Sequence, residues 1–297
     1  MTTTIVVAGA TGNLGGRIAK ALRERGAEVT ALVRPGATAE KTDRLTSLGA
    51  RTVEVDATSL PDLTRACEGA SCVVSALAGL RDVIVGAQSV LLDAAVAAGV
   101  PRFVPSDYSS DFSNIAPGEN RNLELRREFH ARLFAAPIRA TSILNGAFME
   151  LLLGQMPLID FESRRVNYWE NADQLMDFTT IDDTAAFTAA AALDPDAPNV
   201  LRIAGDQISA RRLAEVAGEA AHSPYELVDM GTLDQLAAYA ARDRAADPAG
   251  ENSLYPRWQG MQYMHGLFSG RGALAPLDNA RYPGISTTSV RQLLASR

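Results

Sequence analysis

The sequence predicts an α/β fold: a doubly wound, mostly parallel sheet followed by a smaller C-terminal lobe. Three observations carry this expectation. Short β-branched runs alternate with amphipathic stretches through the first half of the chain. A glycine-broken segment, "VVAGATGNLGG" over Val6–Gly16, stands where the first run gives way to the first amphipathic stretch. Successive helical stretches then stop at a glycine, as helices do where the chain needs a left-handed residue.

The elements follow in order. "TIVVA" (Thr4–Ala8) reads as a strand buried on both faces, and "NLGGRIAKALRERG" as a helix with Ile18, Ala21 and Leu22 on one face and Gly26 as its stop. "EVTALV" (Glu28–Val33) is the second strand, and a polar helix from Thr38 to Leu48 ends at Gly49. "RTVEV" (Arg51–Val55) precedes a helix opened by Ser59 and Pro61 and closed by Gly69. "SCVVSAL" (Ser71–Leu77) is the fourth strand, and an Ala-rich helix to Ala98 leads to the fifth, "PRFVPS". A helix over Asn120–Phe134 leads to a sixth strand, "IRATSIL" (Ile138–Leu144). Such alternation builds right-handed crossovers and a parallel sheet covered on both faces. After Phe148 the pattern loosens. "FTTIDDTAAFTAAAAL" reads as a loop entering a helix, "NVLRIAG" as a returning edge strand, and the chain beyond Ile208 as helical.

Gly9, Gly12 and Gly15 form G-x-x-G-x-x-G between the first strand and the first helix, the position of a dinucleotide-binding turn. Gly9 suits the tight turn, Gly12 close approach of the backbone to a ligand, and Gly15 close helix–strand packing. A helix N-terminus there offers unpaired N–H groups and a positive dipole end to a pyrophosphate. The second strand decides the nucleotide. A carboxylate about 20 residues past the glycines would bind a ribose hydroxyl; here the strand ends in Arg34, with Lys41 further on. A guanidinium pairs bidentately with a 2′-phosphate. At roughly 1.5–3 kcal/mol per charge-assisted contact, Arg34 and Lys41 favour NADP(H) over NAD(H) by about a hundredfold.

Composition closes other routes. The net charge of −7 argues against nucleic acid as the main partner. No apolar run approaches the roughly 20 residues needed to cross a bilayer, and no charged-then-apolar leader begins the chain, so no membrane partner and a cytoplasmic location are expected. The two cysteines, Cys67 and Cys72, fit neither a metal site nor a disulfide framework, and no metal is expected. "PSDYSSDF" carries no histidine beside its serines, which argues against serine hydrolysis.

The segments "VAGATGNLGGRIAKAL", "LVRPG…AEK", "VVSALAG", "LLDAAVAAGVPRFVPSDYSSDF", "TSILNGAFMELL" and "TIDDTAAF" resemble, in order, those of NmrA-like proteins, atypical short-chain dehydrogenases that include the isoflavone reductase-like enzymes. The resemblance spans about residues 4–205. It implies a Rossmann domain over 1–150, with 176–205 returning to it, and a smaller substrate lobe over 151–175 and 206–297. It also implies NADP(H) held by Gly9, Thr11, Gly12, Asn13, Leu14 and Gly15. Arg34 and Lys41 would take the 2′-phosphate, and Ser75, Ala76, Leu77, Pro105 and Ser106 would line the cleft.

The chemistry departs from that pattern. Short-chain dehydrogenases use Tyr-x-x-x-Lys, but Phe112 stands four positions after Tyr108. Isoflavone reductase-like enzymes resemble one another in a lysine on the helix before the sixth strand; here that place holds Arg126, and no lysine follows Lys41. An arginine orients or neutralises an oxyanion but does not donate a proton.

Two functions follow. One is an NADPH-dependent oxidoreductase acting on a small aromatic or conjugated carbonyl or quinone-type compound. Arg126 would then stabilise developing negative charge, and Tyr108 or His130 would relay a proton. The alternative is a non-catalytic NADP(H)-binding redox sensor acting through a protein partner. A homodimer is left open by either. Asp183 reads as a helix N-cap. Tyr255, Trp258, Tyr263, Met264, His265 and Phe268 read either as a substrate lid or as the second lobe's own core.

Overall fold

A computed structural model describes residues 3–297. Its central feature is β1 (Thr4–Ala8), whose Ile5–Ala8 are buried. β1 pairs in parallel with β2 (Glu28–Val33) on one side and β4 (Cys72–Ser75) on the other; Ile5 stands opposite both Val29 and Cys72. With β3 (Arg51–Glu54), β5 (Arg102–Val104) and β6 (Arg139–Ala140), the six strands run in the order β3-β2-β1-β4-β5-β6, all parallel. The order reverses between β1 and β4. At such a switch point the loops at the strands' C-terminal ends part and leave a crevice for a ligand.

The crossovers are α1 (Asn13–Glu24), α2 (Ala39–Ser47), α3 (Leu60–Cys67), α4 (Gln88–Ala97) and α5 (Arg121–Ala135). Their starts and faces follow from the sequence. α1 buries Ile18, Ala19, Ala21 and Leu22 on one stripe. Ser59 caps α3 by accepting the Asp62 N–H, and Pro61 occupies the first turn, where a missing N–H costs nothing. α4 is entered through a π-helical turn, Asp82–Ala87, that the sequence pattern does not separate from the helix.

The chain clusters into two units. The first comprises the residues up to Tyr108, Leu125–Ile143 and Thr184–Leu201. Its core packs Val6, Leu32, Val73, Leu92, Phe103 and Phe129. Cys67 and Cys72 are free thiols buried in this unit, each pushed up to about 12 by burial and so inert. The expected sixth strand is divided. Arg139 and Thr141 donate to the carbonyls of Pro101 and Phe103, whereas Ser142 donates the other way, to Asn199. Alternate N–H groups therefore serve opposite neighbours, and β7 (Ser142–Leu144) ladders with β12 (Val200–Arg202).

The second unit comprises Ser109–Glu124, Leu144–Asp183 and Arg202–Arg297. One three-stranded sheet orders β13 (Asp206–Ile208), β11 (Met176–Thr179) and β8 (Ala147–Phe148). Another orders β14 (Glu226–Asp229), β10 (Arg165–Tyr168) and β9 (Ile159–Asp160). The stretch beyond Ile208 is thus not wholly helical. Strand β14 is half exposed, and its four residues give too short an alternation to stand out. The helices are α7 (Ala210–Ala221), α8 (Leu233–Ala246), α9 (Arg257–Phe268) and α10 (Val290–Ala295); α6 (Ile181–Leu193) belongs to the first unit from Thr184 onward. Met149, Leu158, Phe178, Leu213, Met264 and Phe268 meet in this unit's core.

Candidate functional site

The glycine turn closes on itself: the Gly12 N–H donates to the Gly9 carbonyl at 2.9 Å. Gly9 has φ +78°, and a Cβ there would stand 2.4 Å from the Ala76 carbonyl oxygen. Only glycine combines that dihedral with that approach. Gly15 is crowded in turn, since a Cβ on it would lie 2.2 Å from the Gly9 oxygen. Gly12 differs. It is exposed, a Cβ there would come only to 3.2 Å of the same oxygen, and it is the N-cap of α1 with no side-chain cap. The N–H groups of Asn13, Leu14 and Gly15 therefore have no acceptor among the described residues. Thr11 is partly buried, and the Asn13 side chain accepts from Arg17 Nε at 3.0 Å. An uncapped N-terminus with a glycine floor fits a pyrophosphate.

Ser75, Ala76 and Leu77 leave the end of β4 beside this turn, and Pro105 and Ser106 leave β5. Ser106 ties the two exits together. Its hydroxyl donates to the Leu77 carbonyl at 2.7 Å, and its N–H donates to Gln88 Oε1 at 2.8 Å. The Ser75 hydroxyl is fully buried with no partner. Gln88 is a fastener the sequence does not announce, a glutamine in an Ala-rich helix.

The basic residues stand on the other side of the turn. Arg34 follows β2 and Lys41 lies in the first turn of α2; both are exposed, with no ion pair among the described residues. Arg44, three residues after Lys41, shares its helical face. The Arg44 Nη2 lies 3.7 Å from where a Cβ on Gly16 would be, so this guanidinium reaches from α2 to the start of α1. Arg44 and Arg17 are cations at the turn that spacing from the glycines does not single out.

A second constellation forms where β5 ends. Asp107 is completely buried. Its carboxylate Oδ2 receives His130 Nε2 at 2.7 Å and also the Ser142 hydroxyl. Its backbone carbonyl accepts from Arg126 Nε at 2.6 Å. Arg126 and His130 lie one turn apart on α5 and so reach one residue together. The other carboxylate oxygen, Oδ1, is buried without a partner. Tyr108 follows at φ +28°, in left-handed backbone. Its hydroxyl is buried beside Thr188 with no hydrogen bond, and burial raises its pKa, which works against proton donation. The sequence names Arg126, His130 and Tyr108 but not Asp107 or Ser142, whose only signal is polarity at the ends of apolar strands.

In the second unit, Trp258, Met264 and Phe268 are interior, and the Arg121 and Arg244 guanidinium groups lie over the Trp258 ring at 4.6 Å each. Tyr255 is 67% exposed. An open cavity of about 800 Å³ lies beside α8 and α9, with His265, Gln262, Arg271 and Glu119 in its wall. Desolvation, and then the Arg271 charge, lower the pKa of His265. Asp183 is not the cap of α6. Thr180 accepts the Asp183 N–H at 3.0 Å, while the Asp183 carboxylate accepts from Thr288 N–H at 2.8 Å. Among the described residues no His, Cys, Asp and Glu gather as a metal site, and no helix is long and apolar enough to cross a membrane.

The chain is 31% identical to pinoresinol reductase 1 of Arabidopsis thaliana over 207 residues. That match covers 65% of this chain and 65% of the relative, just under two thirds of its length. Among solved structures, AtPrR2 with NADP+ and (+)pinoresinol superposes with a TM-score of 0.81 at 23% identity, over 100% of this chain and 99% of that one. Isoflavone reductase gives 0.82 at 20% identity, over 100% and 99%. Both share the fold. The NmrA-like family model matches residues 1–230, and the chain belongs to that family.

Proposed function

We propose that the chain is an NADPH-dependent oxidoreductase that delivers hydride to a small aromatic or conjugated carbonyl or quinone-type compound. The observation that carries this reading is the uncapped α1 N-terminus over Gly12, at the point where the strand order reverses. Bound NADPH supplies the hydride. The chain's own part is to hold and to stabilise. The Asn13–Gly15 N–H groups receive the pyrophosphate, Arg34 and Lys41 the 2′-phosphate, and Ser75–Leu77 with Pro105 and Ser106 form the wall of the cleft. Arg126 offers positive charge to an oxygen gaining electrons, and His130 offers an exchangeable proton.

Residues 1–150 with 176–205 serve the cofactor in this reading, and 151–175 with 206–297 the substrate. The relationship to a pinoresinol reductase supports an aromatic substrate. The buried thiols suit a reducing compartment such as the cytoplasm. A homodimer is compatible with the same site.

The test is NADPH consumption against a panel of quinones, enones and aromatic ethers, with NADP(H) binding measured in parallel. At least one compound should be reduced, and Arg126→Ala should lower kcat by about a hundredfold, the usual cost of removing a charge-stabilising donor. Tight NADP(H) binding with no turnover of any member would sink the reductase reading and leave a redox sensor, which the absent lysine favours.

A further inference from the structure

We propose that Asp107 is the positioning residue of this site, fixing which nitrogen of His130 exchanges the proton and where Arg126 stands. The inference rests on the reductase reading and adds a residue to it. An ionised carboxylate only accepts hydrogen bonds, so the His130 Nε2 that faces Asp107 Oδ2 at 2.7 Å carries the hydrogen. The proton given to substrate therefore leaves from Nδ1. In the balanced step, imidazolium Nδ1–H protonates the oxyanion left by hydride addition, the ring stays as the neutral Nε2–H tautomer, and water restores the proton. Ser142 donates to the same Oδ2, so the carboxylate is held from β7 as well as from α5.

The second grip does not use the carboxylate. Arg126 Nε donates to the Asp107 backbone carbonyl at 2.6 Å. One residue thus gathers Arg126 and His130 of α5, its carboxylate taking the histidine and its peptide group the arginine. Asp107 is completely buried, where an ionised group stands only if its partners compensate the lost water.

The experiment reads the tautomer directly. The chain has three histidines, His130, His222 and His265. Nitrogen-15 histidine labelling, with the His130 signals assigned by their loss in His130→Gln, should show His130 as Nε2–H in the wild-type protein at a pH where the ring is neutral. Asp107→Asn keeps the shape and the backbone grip on Arg126, but its amide can donate to Nε2 and favour the opposite tautomer. It should shift His130 toward Nδ1–H and lower kcat by about tenfold or more while NADPH affinity stays unchanged. A wild-type Nδ1–H ring, or a variant with tautomer and kcat both unaltered, overturns the proposal. If Asp107→Asn fails to fold, the wild-type spectrum alone decides. If the wild-type protein reduces no acceptor, the reductase reading falls, and the tautomer measurement judges Asp107 by itself.

Discussion

Two alanine substitutions three residues apart should separate the two jobs of the glycine turn. In Gly15→Ala the new methyl would lie 2.2 Å from the Gly9 oxygen, 2.7 Å from the Gly9 carbonyl carbon and 3.0 Å from Ala10 Cα. All three neighbours are backbone, so no side chain can swing aside; β1 and α1 must part instead. Overpacking of this kind costs about 1–3 kcal/mol, and the rigid neighbours argue for the upper end. Alanine in place of glycine inside a helix returns about 1 kcal/mol. The net loss should be about 1–2 kcal/mol in urea unfolding. In Gly12→Ala the backbone is ordinary, at φ −82°, and the nearest atom stands at 3.2 Å. Stability should fall by about 0.5–1 kcal/mol, since alanine is a clearly poorer N-cap than glycine. The methyl would nevertheless project over the uncapped N–H groups, so a fluorescence titration should show NADPH affinity falling by about tenfold or more, a penalty of about 1.4 kcal/mol. A Gly15→Ala protein as stable as the wild type would refute the tight helix–strand contact. Undiminished NADPH binding by Gly12→Ala would refute the placement of the pyrophosphate.

The nucleotide preference has its own variants. Arg34→Ala should weaken NADPH by about tenfold to a hundredfold and leave NADH unchanged, the loss expected for one charge-assisted contact; equal effects on both would show that Arg34 does not meet the 2′-phosphate. Arg44→Ala, which removes a guanidinium that reaches from α2 to Gly16 of α1, should cost NADPH about threefold by the same comparison, in keeping with a solvated charge. For His265, burial and Arg271 depress the folded pKa below 6.5, while Glu119, Asp234 and Glu170 oppose the shift. The unfolded chain then binds the extra proton first, so this contribution to stability is present above about pH 6.5 and is lost as pH falls. His265→Gln should therefore lose less stability than the wild type between about pH 8 and about pH 5, as urea unfolding at each pH would reveal; parallel curves for the two proteins would refute it.

The sheet was legible because its evidence is local. Ile5, Val6 and Val7 are apolar without alternation, as a strand covered on both faces must be, and Gly9 announces the turn within two residues of the strand. The fastening of the site was not legible. Asp107 reaches His130 across 23 positions and Ser142 across 35, and no pattern along the chain couples residues so far apart. Gln88 meets Ser106 across 18 positions for the same reason. Local chemistry can also mislead. Asp183 carries the right group for a cap, but Thr180 stands three residues before it with its hydroxyl already on the Asp183 N–H. The aromatic-dense stretch near the C-terminus was ambiguous because α9 is apolar on more than one side. Trp258 and Phe268 go inward, and His265 borders the cavity.

Arginine at position 126 shapes what the rest of the site must supply. A lysine can both hold a negative oxygen and give it a proton; a guanidinium does only the first at any neutral pH. In the proposed reductase the two tasks would fall to side chains one turn apart on α5, both hydrogen-bonded to Asp107. Tyr108 cannot readily take over the second, because its hydroxyl is buried and burial makes it hold its proton more strongly. The proposed reductase should therefore favour acceptors for which hydride arrival is the hard step and protonation the easy one. Quinones and conjugated enones fit, since their products spread negative charge over several atoms before any proton arrives. Simple ketones, which need a proton as the hydride lands, should be the poorest members of the panel.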